Sequence, residues 1–511
     1  MYMLRKLIFL CALMIAIHTQ AQHYKPPVFT DGKRLQKIEK LLPLLDSMFS
    51  QYALQKNFPS ITYGIVVDNK LIHHFSKGWI NLEKKNASSE HADYHIASMT
   101  KSFTAMAILK LRDDGKLDLD DPVEKYIPEV AKSKLLTADA PKITIRNLLT
   151  HSAGFPEDNP WGDRQLGKSD AFLENIFSEG VSFSTTPGSG YEYSNLGFAT
   201  LGLIIKKVSG KTYQEYIYEN IILPLGMYET YWDYSDVPNN KLAIGYRYVN
   251  GEWVAQPLLH SGSFGAMGGL ITSISDFSKY MIFQLNAWPP RDDEERGPVK
   301  RSSAREMQHA WNFSRLWMNE KNAWGKDCPV MDFYGYGLHQ YLDCNGMKVI
   351  THSGGLPGFG SQWRILPDYG IGIVAFANLT YASMGNILER AIDSLLVKAD
   401  LSPRKLPASA ILEKRKDQLI KLLPDWNDQS LLGIFAENFF DDYFIADLRK
   451  GSRDAFAKAG KIISVSDVDA LNQLRGSFTM HGEKADIVIS FTLSPEPDPK
   501  IQAFKLNLKN D

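Results

Sequence analysis

Hydrophobic positions along the chain switch between helical and strand spacing, and the switches mark its organisation. Leu35, Ile38, Leu42, Leu45, Phe49 and Tyr52 recur at three and four residues, which predicts an amphipathic helix. Apolar runs over 61–67 and 71–75 flank Asp68-Asn69-Lys70, a hairpin signal. A helix is expected from near Ser98 to Gly115, with Phe103, Met106, Ala107 and Leu111 on one face. Residues 116–270 mix helices with Gly and Pro turns. Residues 288–331 are polar and carry Arg291 to Arg296 and Lys300-Arg301, which reads as a solvated insertion. Apolar strands follow near 348–352 and 371–377. A helix with Ile387, Leu388, Ala391, Ile392 and Leu395 inward then precedes a Pro-containing boundary at 401–407. Beyond it, alternation at Ile487, Ile489, Phe491 and Leu493 and at Phe504, Leu506 and Leu508 predicts a mostly β accessory domain over 408–511. Strands at both ends of the preceding part, residues 22–399, with helices between them, imply an α+β layer fold.

The N-terminus follows a different rule. Arg5 and Lys6 precede an apolar run from Leu7 to Ile17, and Thr19-Gln20-Ala21 supplies a small residue for cleavage. The run is shorter than the roughly 20 residues a membrane-spanning helix needs. Residues 1–21 therefore read as a signal peptide, which predicts an exported protein, periplasmic or secreted, with no membrane span after cleavage. Cys11 lies mid-run with no small residues before it, so a lipoprotein is not expected. The mature chain keeps Cys328 and Cys344; a disulfide and two separate thiols are equally compatible with the sequence.

Composition narrows the function classes. Apolar residues are 44% and charged residues 23% of 511, as in soluble globular proteins of a few domains. Lys plus Arg is 57 against 58 for Asp plus Glu, so no overall basic field exists to hold nucleic acid. No G-x-S-x-G elbow occurs. Gly210-Lys211-Thr212 ends like a phosphate loop, but Ile205 stands where its first Gly belongs. His91, Asp93 and His95 have no further ligand nearby in sequence, so no metal or other cofactor is expected.

Three short motifs carry the candidate chemistry. Ser98-Met99-Thr100-Lys101, at the start of a helix, puts a hydroxyl and an amine on one face, one turn apart. A serine needs a base to become a nucleophile, and a desolvated lysine is one. Ser402-Pro403-Arg404-Lys405 has the same spacing but lies in the linker. Tyr193-Ser194-Asn195 offers a phenol and an amide on a loop before an apolar helix. Tyr218-x-Asn220 and Tyr248-x-Asn250 match as strings, but one sits in a helical pattern and the other before an Asn-Gly turn. His352-Ser353-Gly354-Gly355 supplies a strand edge whose glycines leave room for a substrate backbone. His260-Ser261-Gly262 competes with it but precedes a Gly-rich run.

In this order the motifs resemble the serine β-lactamase and penicillin-binding-protein-like family, in the branch of class C β-lactamases, D-Ala-D-Ala carboxypeptidases and related esterases. The strings Ile145 to Gly154, Pro187-Gly188, Pro224 to Met227 and Gly354 to Phe359 fit it as well. The resemblance covers roughly residues 35–398. It implies an antiparallel sheet flanked by helices, with a helical subdomain. It implies an acyl-enzyme on Ser98, with Lys101 and Tyr193 handling protons and Asn195 holding Lys101 and a substrate amide. The N–H groups of Ser98 and Gly355 would form the oxyanion hole. His352 completes the implied catalytic set, and Ser353, Gly354 and Phe359 would face substrate. The expected substrate is a small molecule or peptide, such as a D-amino-acid peptide of peptidoglycan origin, a β-lactam or a small ester. The alternative is a silent relative that only binds cell-wall peptides. One departure stands out. His352 occupies a position where many β-lactamases have Lys, and the sequence shows no second cation for a substrate carboxylate.

Overall fold

The computed structural model describes residues 24–509. The signal-peptide reading and Cys11 lie outside them. The chain forms two compact units, one running Asp31–Pro403 and the other built from Arg404 onward together with the described residues before Asp31. No helix among the described residues is long and apolar enough to cross a membrane.

The larger unit is organised by a nine-stranded antiparallel sheet. In chain order its strands are β1 (Ser60–Val67), β2 (Lys70–Asn81), β3 (Asn86–Ala87), β4 (Asn312–Trp317), β5 (Val330–Tyr334), β6 (His339–Asp343), β7 (Lys348–Leu356), β8 (Phe359–Leu366) and β9 (Ile371–Ala377). They lie in the order β3-β2-β1-β9-β8-β7-β6-β5-β4. The predicted hairpin is β1–β2, and Asp68 takes the positive φ its turn requires. β1, β8 and β9 are buried along their whole length because side chains pack on both faces.

On one face, Ile61, Tyr63, Ile373 and Ala375 meet helices α1 (Leu42–Gln55) and α5 (Gly385–Lys398). The single N-terminal helix read from the pattern is two pieces, Arg34–Glu39 and α1, because Pro43 restarts the helix at its first turn. On the other face lies the main core, with α2 (Lys101–Asp113), α3 (Asn195–Ser209) and α4 (Ile274–Asn286). The expected α+β architecture, a large antiparallel sheet with helices on its faces, is therefore present.

Two expectations change. Residues 288–331 are not simply a solvated insertion: they supply β4 and the start of β5 at the sheet edge, where an exposed strand tolerates polar residues. Cys328 and Cys344 form a disulfide that ties the segment entering β5 to the turn after β6.

The second unit is less purely β than its alternation suggested. Its five-stranded antiparallel sheet packs Phe478, Ile487, Ile489 and Phe491 against Leu412 and Leu419 of α6 (Ala410–Leu422) and Ala455 and Ala459 of α7 (Ile445–Ala459). These helices are richly charged outward, so only the strands stood out in the pattern.

Candidate active site

Ser98 lies in a short 3-10 turn, Ala97–Thr100, that leads directly into α2. Ala97 before it has φ 50, a left-handed conformation costing a non-glycine residue about 1–3 kcal/mol. The turn is held against β7 and β8. The Ser361 hydroxyl donates to the Ile96 carbonyl at 2.8 Å. A side chain at Gly354 would stand 2.1 Å from that same oxygen, so only glycine allows the approach.

One turn after Ser98, at the start of α2, Lys101 is fully buried. Its Nζ reaches Ser98 Oγ at 3.1 Å, Asn195 Oδ1 at 2.6 Å and the Met267 carbonyl at 2.9 Å. The last two groups can only accept. A neutral lysine gives them its two N–H bonds and is left with a lone pair facing the Ser98 hydroxyl. Burial favours that neutral form and brings the Lys101 pKa down to about 7; Asp163 and then Asp158 pull the other way.

Asn195 is the first residue of α3 and is fully buried. Ser194 caps the helix by accepting from Gly197 N, and Asp158 accepts from the N–H groups of Asn195 and Leu196 at 2.6 and 2.9 Å. The Asn195 amide donates to Asn159 Oδ1 at 3.0 Å. Asn195 thus grips Lys101 from below, and it does not line the cleft.

Tyr193 stands over this pair, with the Lys101 ammonium position 4.9 Å from its ring centre. Burial pushes its phenol well above 10, so the hydroxyl keeps its proton at neutral pH; hydrogen bonding with Ser98 works weakly against this. His151, from the string singled out in the sequence, packs on Tyr193 at 4.2 Å and on Tyr334 at 4.5 Å. Its Nδ1 accepts from the Ser194 N–H at 3.0 Å, which orients the loop carrying Tyr193.

His352 Nδ1 donates to the Ser353 carbonyl at 2.6 Å, and its Nε2 accepts from the Tyr334 hydroxyl at 3.0 Å. Burial, then the charges of His339 and Lys101, hold its pKa well below 6.5. It is a neutral, fully engaged imidazole and supplies no positive charge.

Ser98, Tyr193, His352, Ser353 and Gly355 line one cleft of about 660 Å³. Lys101 and Asn195 lie beneath Ser98 and not in the cleft wall, and two further candidate residues stand elsewhere. Phe359 is buried in the core with its ring 5.1 Å from His95, so it does not face substrate. Gly354 turns toward Ile96, and its lack of a side chain serves that packing rather than a substrate backbone. The competing strings fall outside the cleft. Tyr218 begins a π-helical turn, Asn250 sits in a hairpin turn with φ 52, and His260 pairs with Asp233.

The structure adds residues that local patterns could not assign. Glu157, Asp163, Glu192 and Tyr381 line the cleft, and Tyr381 donates to Asp163 at 3.1 Å. Arg315 lines it too, from β4, and has no ion-pair partner among the described residues. It is the cation the sequence did not reveal, hidden in a segment that looked like a solvated insertion.

Known proteins of this shape carry related names. The family model for beta-lactamases matches residues 45–396, most of the chain. Protein flp of Staphylococcus aureus strain MW2 is 29% identical over 375 residues, 72% of this chain and 68% of its own length. Beta-lactamase-like protein 2 of Dictyostelium discoideum is 27% identical over 369 residues, 70% of this chain and 63% of its own. In three dimensions an octameric penicillin-binding protein homologue from Pyrococcus abyssi aligns over 91% of this chain and 95% of its own, with TM-score 0.57 and 23% identity. A class C beta-lactamase aligns over 70% of this chain and 96% of its own, with TM-score 0.55 and 20% identity. A sequence match of that extent, on a fold shared with both solved structures, makes this chain a member of the beta-lactamase family.

Proposed function

We propose that the protein is an exported serine hydrolase that cleaves an amide or ester through an acyl-enzyme on Ser98. The observation carrying this reading is the Lys101 geometry: two pure acceptors take its N–H bonds and leave its lone pair on the serine. Lys101 takes the Ser98 proton as Oγ attacks the carbonyl carbon. Tyr193, protonated and facing Ser98, gives a proton to the leaving group, and the Lys101 ammonium returns one to Tyr193. The backbone N–H groups of Ser98 and Gly355 receive the oxyanion, a contribution of about 3–4 kcal/mol per donor. Water then replaces the leaving group, attacks the ester and restores Ser98. Asn195 and His151 are positioning residues in this scheme.

The neutrality of His352 shifts the substrate preference. Without a lysine there, a substrate carboxylate, of a β-lactam or of a peptide, has Arg315 on β4 as its available cation, so uncharged small esters fit better than rapid β-lactam hydrolysis. The Ser98→Ala variant tests the assignment: turnover of a p-nitrophenyl ester should fall to background while the melting temperature holds. Turnover that survives refutes it.

A further inference from the structure

A second recess adjoins the cleft and belongs to none of the residues assigned above except Ser353. It measures about 320 Å³, within the roughly 300–1,000 Å³ of small-molecule sites. Ser353 lines both spaces. So does β4, which turns Arg315 toward the cleft and Trp317 toward the recess, the guanidinium 5.8 Å from the indole ring centre. The recess is therefore the continuation of the cleft past Ser353, between the outer strands and α5.

Part of its wall is apolar and aromatic. Trp317 and Tyr341 meet edge to face with ring centres 5.0 Å apart, beside Val349, Met347 and Ile392. Cys328 of the disulfide closes it, so the segment leading into β5 is covalently fixed above it. The charges there are mostly spoken for. Lys321 pairs with Asp327 at 2.6 Å, Arg364 with Glu389 at 3.7 Å, and Asp343 accepts the Asn345 and Met347 N–H groups. Two carboxylates remain, the exposed Glu320 and Asp393; Asp393 is a partly buried carboxyl on α5 that lines the recess and has no hydrogen bond or ion pair among the described residues. Burial, then the neighbouring Glu389 carboxylate, push its pKa up to about 6, against the smaller opposing pull of the Arg364 guanidinium.

We propose that this recess is a subsite of the cleft that takes an apolar or aromatic segment ending in a protonated amine, with the amine on Asp393 and the apolar part between Trp317 and Tyr341. As a subsite it rests on the hydrolase reading; as a binding site it does not. The test therefore reads binding, by calorimetry on the full-length Ser98→Ala protein, with 4-phenylbutylamine, 4-phenylbutanol and 4-phenylbutyrate as probes. The amine should bind about tenfold tighter than the other two, the size of one charge-assisted hydrogen bond. Asp393→Asn should erase that preference. Gly385→Leu should weaken the amine and the alcohol together, because Gly385 lines the recess with an ordinary φ, and a Cβ there first meets Gln362 Oε1 at 3.5 Å. Equal affinity for the three probes, no binding of any, or an amine preference that survives Asp393→Asn overturns the proposal. Ester turnover by the unmodified protein is measured in parallel. Hydrolysis without an amine preference sinks the subsite alone, and an amine preference without hydrolysis sinks the enzyme reading alone.

Discussion

The pH dependence of acylation follows from the burial of Lys101. Its pKa falls from 10.5 to about 7. That shift is worth about 5 kcal/mol and raises the neutral fraction at pH 7 about a thousandfold over that of a solvated lysine. With a pKa of about 7, roughly a tenth of the protein holds a neutral Lys101 at pH 6 and roughly nine tenths at pH 8. The rate of p-nitrophenyl acetate cleavage, read as kcat/KM, should rise about tenfold between those values and level off above. Asp163 is the largest charge opposing the shift. Its own carboxyl is raised to about 6 by burial, so the two groups titrate together. Asp163→Asn removes the charge that favours the ammonium and should move the rising limb to lower pH, with a higher rate at pH 6. A profile that is flat from pH 6 to 9, a limb near pH 10, or a limb that moves up in Asp163→Asn would refute the reasoning.

Further consequences lie around the same turn. Gly354→Ala forces a methyl into the Ile96 carbonyl, which is backbone and cannot swing away. It should cost about 1–3 kcal/mol in a denaturant melt and slow acylation, because Ile96 lies two residues before Ser98. Asp93 is buried with neither carboxyl oxygen hydrogen-bonded, and burial raises its pKa to about 8, with Glu229 adding to it. Between the unfolded value near 4 and about 8 the folded state holds a proton the unfolded state has lost, so stability falls as pH rises through that window. Asp93→Asn removes this linkage; its stability relative to the unmodified protein should be greater at pH 7.5 than at pH 4, by up to about 4 kcal/mol in urea titrations.

Local order was legible where one face of an element is apolar. The hairpin around Asp68 and the helix after Ser98 announce themselves through spacing. β8 was not legible as a strand: Phe359–Leu366 is buried on both faces and lacks alternation, and its first residue looked like part of a substrate motif. β4 was missed for the opposite reason, since an edge strand bears Ser314 and Arg315 in a charged stretch. The motifs pointed to Ser98, Lys101, Tyr193 and His352, because residue type and spacing encode reactivity within a turn. They could not show that Asn195 lies outside the cleft wall, that Asp158 caps the helix beneath it, or that His352 is locked neutral by Tyr334. Those contacts join residues far apart in the chain, and no periodicity records them.

The most direct measurement is mass spectrometry of the purified protein after incubation with a penicillin and, separately, with a p-nitrophenyl ester under acid quench. The account predicts a covalent acyl adduct on the peptide containing Ser98 from at least one of the two, absent from Ser98→Ala. Adducts on another residue, or hydrolysis of either compound that persists in Ser98→Ala, would contradict it.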